Sequence, residues 1–214
     1  MKERPPTVYI VDDDDGVRSS LRILLKSVGL AATPLPSALE FLAQYNVSQP
    51  GCLLLDIRMP GMSGLELQTE LNRRGAMIPV IFITGHGDVP MAVEAMQHGA
   101  FDFLQKPFRD QELLDRVQRA LARDAENRAA VRQHERIRAR LRTLTPREHE
   151  VLDLLIQGKQ NKMMANDLGL SQRTVEIHRA HVMEKMEAKS VAQLVRMMLD
   201  IGLSADERGN RQVP

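Results

Sequence analysis

The sequence predicts an α/β domain on a five-stranded parallel sheet wound on both faces, followed by a small all-α domain of four helices. Three observations carry this. Residues 5–122 alternate short apolar runs with segments of helical period, the pattern of a parallel sheet covered by helices. One run, CLLL, ends in Asp56 and passes at once into turn residues, as a strand buried on both faces should. Residues 144–203 hold four short helical segments separated by Gly, Ser, Thr and Asn.

The strand candidates are Val8 to Val11, Ala31 to Leu35, Leu53 to Leu55, Val80 to Ile83 and Phe101 to Leu104. Between the first two, Val17, Leu21, Leu24, Leu25 and Val28 recur at three and four residues, the buried stripe of a helix. Ser37 with Glu40 and Ser63 with Glu66 open the next two helices as capping boxes. A fourth helix starts near Asp88 and Pro90, and a fifth covers Asp110 to Ala122. Right-handed crossovers make this a doubly wound domain.

Residues 123–143 are rich in Arg, Glu, Gln and Ala and read as a charged helical linker, either solvated or partner-seeking. Thr145, Pro146 and Glu148 then form a capping box with proline at the first helical position. Gly158 and Gly169 suit C-caps, Asn161 and Ser171 suit N-caps, and Ser190 with Gln193 makes one more capping box. The expected core is Val151, Leu155, Met164, Leu168, Val175, Val182, Met186, Leu194, Val195 and Met198. Residues 204–214 read as a polar, disordered tail.

The 214 residues carry a net charge of only +1, but the charges are uneven. Residues 1–126 hold 13 Lys and Arg against 17 Asp and Glu, whereas the remainder holds 16 against 11, the sign of a polyanion binder. No stretch approaches the ~20 apolar residues of a membrane span, and the start lacks a signal peptide, so a cytoplasmic protein is expected. The single cysteine, Cys52, lies inside an apolar run and is expected in the core.

Asp12 to Asp15 follow the first strand, Asp56 the third, Thr84 the fourth and Lys106 the fifth, so all emerge at the carboxyl edge of the sheet. Taken singly, Asp14 or Asp15 can cap a helix, Thr84 can end a strand and Lys106 can be a loop residue. Together, the crowded carboxylates point to a cation, and few hard oxygen ligands suit Mg²⁺ better than zinc. Asp56 can then attack a phosphoryl group, Lys106 can balance its charge, and Thr84 can donate a hydroxyl to it. Pro107 can hold the adjoining loop by a cis peptide bond.

The segments VYIVDDDD, LLLDIRMPGMSG, VIFITGHGD and FDFLQKPF resemble the four signatures of receiver domains of two-component response regulators, with the flavodoxin-like fold. GHGDVPMAVEAMQHGAFDFLQKPF is similar to the FixJ-type subgroup. The resemblance implies phosphorylation of Asp56 by a sensor histidine kinase, and Mg²⁺ on Asp13, Asp56 and the Arg58 backbone carbonyl, with Asp12 acting through water. It makes Thr84 and Phe103 a switch pair. It also implies a homodimer on phosphorylation, with Met91, Val93 and Met96 near that surface, although core packing explains these three equally well. No function is implied for Asp14 and Asp15.

Asn161 to Leu168, Gly169, then Ser171 to Met186 has the spacing of a helix-turn-helix. Arg173, Thr174, Arg179 and Lys185 are candidates for phosphates, and Glu176, Ile177 and Ala180 for bases, with His178 among the polar positions of the same helix. Glu176 can accept from cytosine, and Ile177 with Ala180 can touch a thymine methyl. The stretch from Leu144 to Ser190 resembles the LuxR/FixJ-type output domain, although related regulators often carry lysine where Ala180 stands. The resemblance implies promoter DNA and RNA polymerase as partners, and a dimer through the final helix, Val191 to Leu199. Two other readings compete: an aspartate-nucleophile phosphohydrolase, which Asp13 to Val17 resembles but which wants a further acidic pair, and a DNA-binding protein independent of phosphorylation, against which Asp56, Thr84 and Lys106 argue.

Overall fold

The computed structural model describes residues 5–85 and 89–202, the side chains of Val89 and Pro90 excepted. The expected helix start at Asp88 and the tail 204–214 lie outside the described residues. The chain divides into two compact units, Met1–Arg128 and Ala129–Pro214.

The first unit runs β1 (Thr7–Val11), α1 (Asp15–Ser27), β2 (Ala31–Leu35), α2 (Ala38–Gln44), β3 (Gly51–Leu55), α3 (Gly64–Arg73), β4 (Val80–Thr84), α4 (Val89–Gln97), β5 (Asp102–Gln105) and the first part of α5 (Asp110–Leu141). The strands pair in parallel in the order β2-β1-β3-β4-β5. The five expected strands are present. β5 sits one residue later than expected, although Phe101 N already bonds to Val80 O as the chain enters the sheet.

Alternation along the strands sorts the core into two layers. Tyr9, Val11, Leu53, Leu55, Val80 and Phe82 pack with Phe41, Leu67, Leu71 and Ala95 from α2, α3 and α4. Val8, Ile10, Cys52, Leu54, Ile81 and Ile83 pack with Leu21 and Leu25 of α1 and Leu113 and Val117 of α5. Cys52 is buried as expected, and burial pushes its thiol well above the ordinary range. Val28, expected in the stripe of α1, is instead its C-cap and is exposed. Ser63 and Glu66 form the full capping box, whereas Ser37 makes the forward bond, accepting from Glu40 N.

The charged stretch after Ala122 departs most from expectation. α5 does not stop at Ala122 but continues to Leu141, and its charges are not all solvated. Asp124 is 1% exposed; its Oδ2 accepts from Gly51 N at 2.9 Å and from Arg128 Nε at 2.8 Å. The same guanidinium donates to the carbonyls of Val47 and Gln49. This acid–base pair therefore ties α5 to the start of β3.

In the second unit, the last turns of α5 join α6 (Pro146–Ile156), α7 (Asn161–Leu168), α8 (Gln172–Lys185) and α9 (Val191–Asp200). Ile137 and Leu141 are buried with Val151, Leu152, Leu155, Met164, Val175, Val182, Met186, Leu194 and Met198. The stretch read as a charged linker thus supplies part of this core; Leu168 and Val195 are only partly buried. Thr145 and Glu148 make the expected capping box. Asn161 is not the N-cap of α7: Gln160 holds that place without a side-chain cap. Ser190 Oγ accepts from Gln193 N, but Gln193 Oε1 reaches back to Lys189 N, one residue short of a capping box.

Glu148, 3% exposed, accepts from Lys185 Nζ at 2.6 Å. That bond and the Thr145 N–H hold its carboxyl well below the usual range, at about 2 against an ordinary 4.5. The unfolded chain takes up this proton more readily than the folded one, so acid favours unfolding. The stabilisation is complete above about pH 4.5 and is lost as pH falls towards 2. Glu148→Gln is expected to flatten the pH dependence of urea unfolding in that window; a slope equal to that of the wild type would contradict the assignment.

Candidate functional site

The site begins with register. β1 and β3 are paired so that Val11 lies opposite Leu55, which makes the next residue of each strand, Asp12 and Asp56, neighbours at the carboxyl edge. β1 is also where the strand order reverses, the crevice in which open α/β sheets bind ligands. Asp12 is 3% and Asp56 8% exposed, whereas Asp13 is exposed. Asp56 N donates to Val11 O at 2.8 Å, fixing the main chain of one acid to the strand carrying the other.

β5 brings in the cation. Lys106 follows that strand directly and precedes a cis bond to Pro107, as expected. Its Nζ lies 2.8 Å from Asp12 Oδ2 and 3.4 Å from Asp56 Oδ1. Burial alone would pull this ammonium down, but the hydrogen bond and charge of Asp12, with those of Asp56, hold it above its ordinary value. Burial pushes the Asp56 carboxyl up, against the Arg58 N–H at 2.7 Å and the Lys106 charge. Two buried carboxylates thus share one lysine, and the pocket is short of positive charge. Among the described residues, no group of three or more His, Cys, Asp and Glu side chains converges closely enough to hold a metal ion. The donor chemistry nevertheless fits a hard divalent cation: oxygen ligands only, with excess negative charge and one acid open to water.

Gly64 closes the back of the site. A Cβ there would lie 2.3 Å from Asp56 O and 3.0 Å from Phe82 Cε1, so only glycine lets α3 start against the Asp56 main chain. Thr84, 1% exposed, ends β4, and its carbonyl accepts from Lys106 N at 2.8 Å. Thr84 pairs with Gln105 and Phe82 with Phe103, so Thr84 and Phe103 lie on one face of the sheet, two residues apart. Phe103 is partly buried against that face's core. Met91 also packs there, while Val93 and Met96 are about half exposed.

In the second unit, α7 ends at Gly169, whose φ of 64° turns the chain into Ser171, the N-cap of α8. Left-handed backbone at that corner favours glycine. Arg173, Glu176, Ile177 and Ala180 are exposed at spacings of three, one and three, a single stripe along α8. Thr174 Oγ1 lies 2.8 Å from Ser171 Oγ in the cap, Arg179 Nη1 donates to Asn161 Oδ1 at 2.9 Å, and Lys185 is paired with Glu148. His178 is partly buried, its Nδ1 without a hydrogen-bond partner. Three of the four residues expected on phosphates therefore already make internal bonds, and Arg173 stands in the open.

A family model described as the response regulator receiver domain matches residues 8–118, and one described as bacterial regulatory proteins of the luxR family matches residues 142–198. Nodulation protein W of Bradyrhizobium diazoefficiens is 50% identical over 96% of this chain and 91% of its own length. The transcriptional regulatory protein FixJ of Azorhizobium caulinodans is also 50% identical, over 92% of this chain and 93% of its own. This chain is a FixJ-type response regulator. The solved structure of the response regulator StyR superposes with a TM-score of 0.83 at 45% identity, covering 92% of this chain and 99% of that one.

A FixJ-type response regulator is a phosphorylation-dependent transcription regulator rather than an enzyme acting on an external substrate, and regulators of this type bind DNA and sensor kinases. Among its described residues, no helix is long and apolar enough to cross a membrane. Three features of this regulator escaped the sequence reading. Asp124 and Arg128 are an acid and a base four residues apart on a helix, a spacing that signals a pair but not its burial. Lys185 and Glu148 are distant in sequence, and nothing local announces their bond. Arg18 sits one turn beyond the acidic run and touches it.

Proposed function

We propose that Asp56 is the phosphoacceptor and that its modification controls DNA binding by α8. The single observation that supports this most is the trio of Lys106, Asp12 and Asp56, with one ammonium within 3.4 Å of both buried carboxylates. Asp56 attacks the phosphorus of a kinase phosphohistidine; the P–N bond breaks, the imidazole leaves and an acyl phosphate forms. Lys106 moves from the carboxylates to the added phosphoryl oxygens, and the Thr84 hydroxyl turns to donate to them. Asp13, Asp56 and the Arg58 carbonyl would hold Mg²⁺, with Asp12 through water; bound there, the ion offsets the charge of the phosphoryl group. Hydrolysis of the acyl phosphate at the same pocket resets the protein.

Phe103 lies on the face of Thr84 and fills space vacated when that side chain turns, which alters the surface of α4 and β5 on which Val93 and Met96 are exposed. That surface supports a homodimer, with α9 as a second contact. A groove lined by Val17, Leu24, Phe108 and Lys106 opens beside the pocket and offers the kinase an apolar seat. The protein acts in the cytoplasm on promoter DNA, with RNA polymerase as its final partner. Genome-wide mapping of bound DNA tests the coupling: Asp56→Ala should lose the sites that wild type gains when its kinase is active, and identical maps would refute it.

On DNA, Arg173, Thr174, Arg179 and Lys185 face phosphates, while Glu176, Ile177 and Ala180 read bases, with His178 behind them. The internal bonds of Arg179 and Lys185 make Arg173 the strongest of the phosphate contacts. Arg173→Ala should weaken binding across all sequences and reduce the slope of log affinity against log salt by about 1, whereas Glu176→Ala should change base preference. Equal salt slopes for wild type and Arg173→Ala would remove Arg173 from the phosphate contacts.

A further inference from the structure

We propose that Arg18 is a positioning residue for the acidic pocket: its guanidinium fixes the peptide between Asp12 and Asp13 and so aims Asp13 at the divalent cation. The inference rests on the reading of the pocket given above. Arg18 Nη1 donates to Asp12 O at 2.7 Å and Nη2 to Asp15 Oδ1 at 2.9 Å. The placement runs against the helix, since a cation in the first turn of α1 opposes the helix dipole. Nor does the ion pair explain it: the Arg18 side chain is 13% exposed while that of Asp15 is 87% exposed, so water screens the carboxylate. The bond that holds the guanidinium inside is the one to the Asp12 carbonyl.

That carbonyl belongs to the peptide joining the two acids. Asp12's own carboxylate is fixed twice, Oδ1 by Asp14 N at 2.9 Å and Oδ2 by Lys106. Asp13 is exposed, and its direction follows the main chain on either side. Because a peptide unit is planar, holding its oxygen sets the plane from which Asp13 departs. Arg18 therefore does for Asp13, through the backbone, what outer-shell partners do for metal ligands, where loss commonly weakens binding by 10–100-fold.

The test uses the full chain with Mn²⁺ as a paramagnetic stand-in for Mg²⁺, its binding followed by electron paramagnetic resonance. Wild type should bind, Asp13→Asn should not, and Arg18→Gln should bind about 10-fold more weakly. Arg18→Lys, which can still reach the carbonyl, should restore most of the affinity, and Asp15→Asn should stay near wild type. Amide hydrogen exchange at residues 12–14 should quicken in Arg18→Gln alone. If Arg18→Gln binds Mn²⁺ as wild type does, the positioning role falls while the pocket stands. If wild type fails to bind, or Asp13→Asn binds as well as wild type, the pocket reading falls and takes this proposal with it.

Discussion

Asp56→Ala should form no acyl phosphate. After incubation with acetyl phosphate and Mg²⁺, intact-mass spectrometry should show wild type gaining one phosphoryl group and the variant none. The loss is expected to be complete because neither neighbouring acid can substitute. Asp12 is held on one oxygen by Asp14 N and on the other by Lys106 at 2.8 Å, and Asp13 is exposed to water. Asp56 is held less tightly by the shared lysine, at 3.4 Å against 2.8 Å for Asp12, and takes an N–H at 2.7 Å on its other oxygen. Phosphate appearing on the variant at a rate near that of wild type would move the acceptor elsewhere and undo the assignment.

The second large effect falls far from the pocket. Asp124→Ala removes the only carboxylate bonded to Gly51 N and Arg128 Nε among the described residues and leaves a cation 11% exposed without its partner. Breaking a buried ion pair from one side costs about 3–5 kcal/mol, because the remaining charge stays desolvated. In urea this should lower the midpoint for the first unit by about 2 M. Asp124→Leu combined with Arg128→Met should recover much of the loss by replacing charge with packed hydrocarbon, short of the bond to Gly51 N. A variant Asp124→Ala as stable as wild type would show that the clamp contributes nothing.

The contrast between these two sites explains what sequence could reveal. Asp56, Thr84 and Lys106 each end an apolar run, and parallel strands deliver run ends to one edge, so their convergence is legible in the sequence. The two-layer core was legible for the same reason, since strands buried on both faces are short and uniformly apolar. Asp124 had no such marker. It lies in a run of charges whose average is that of a solvated helix, and only the close approach of Gly51 and Arg128 makes it interior. Ile137 and Leu141 were hidden in the same way, two apolar residues among arginines that a short core nevertheless needs. On α8 the cations were legible but their commitments were not: Arg179 and Lys185 are bound to Asn161 and Glu148, contacts fixed by tertiary packing.

Gly64 has a consequence for how a chemical event leaves the pocket. With Gly64 N bonded to Ile57 O and its Cα pressed against the Asp56 carbonyl, the acceptor strand has an abutment behind it that cannot recoil without carrying α3 along. The end of β3 and the start of α3 are therefore joined without the slack of even one methyl group. A missing methyl group thus couples the main chain of the acceptor to the helix behind it.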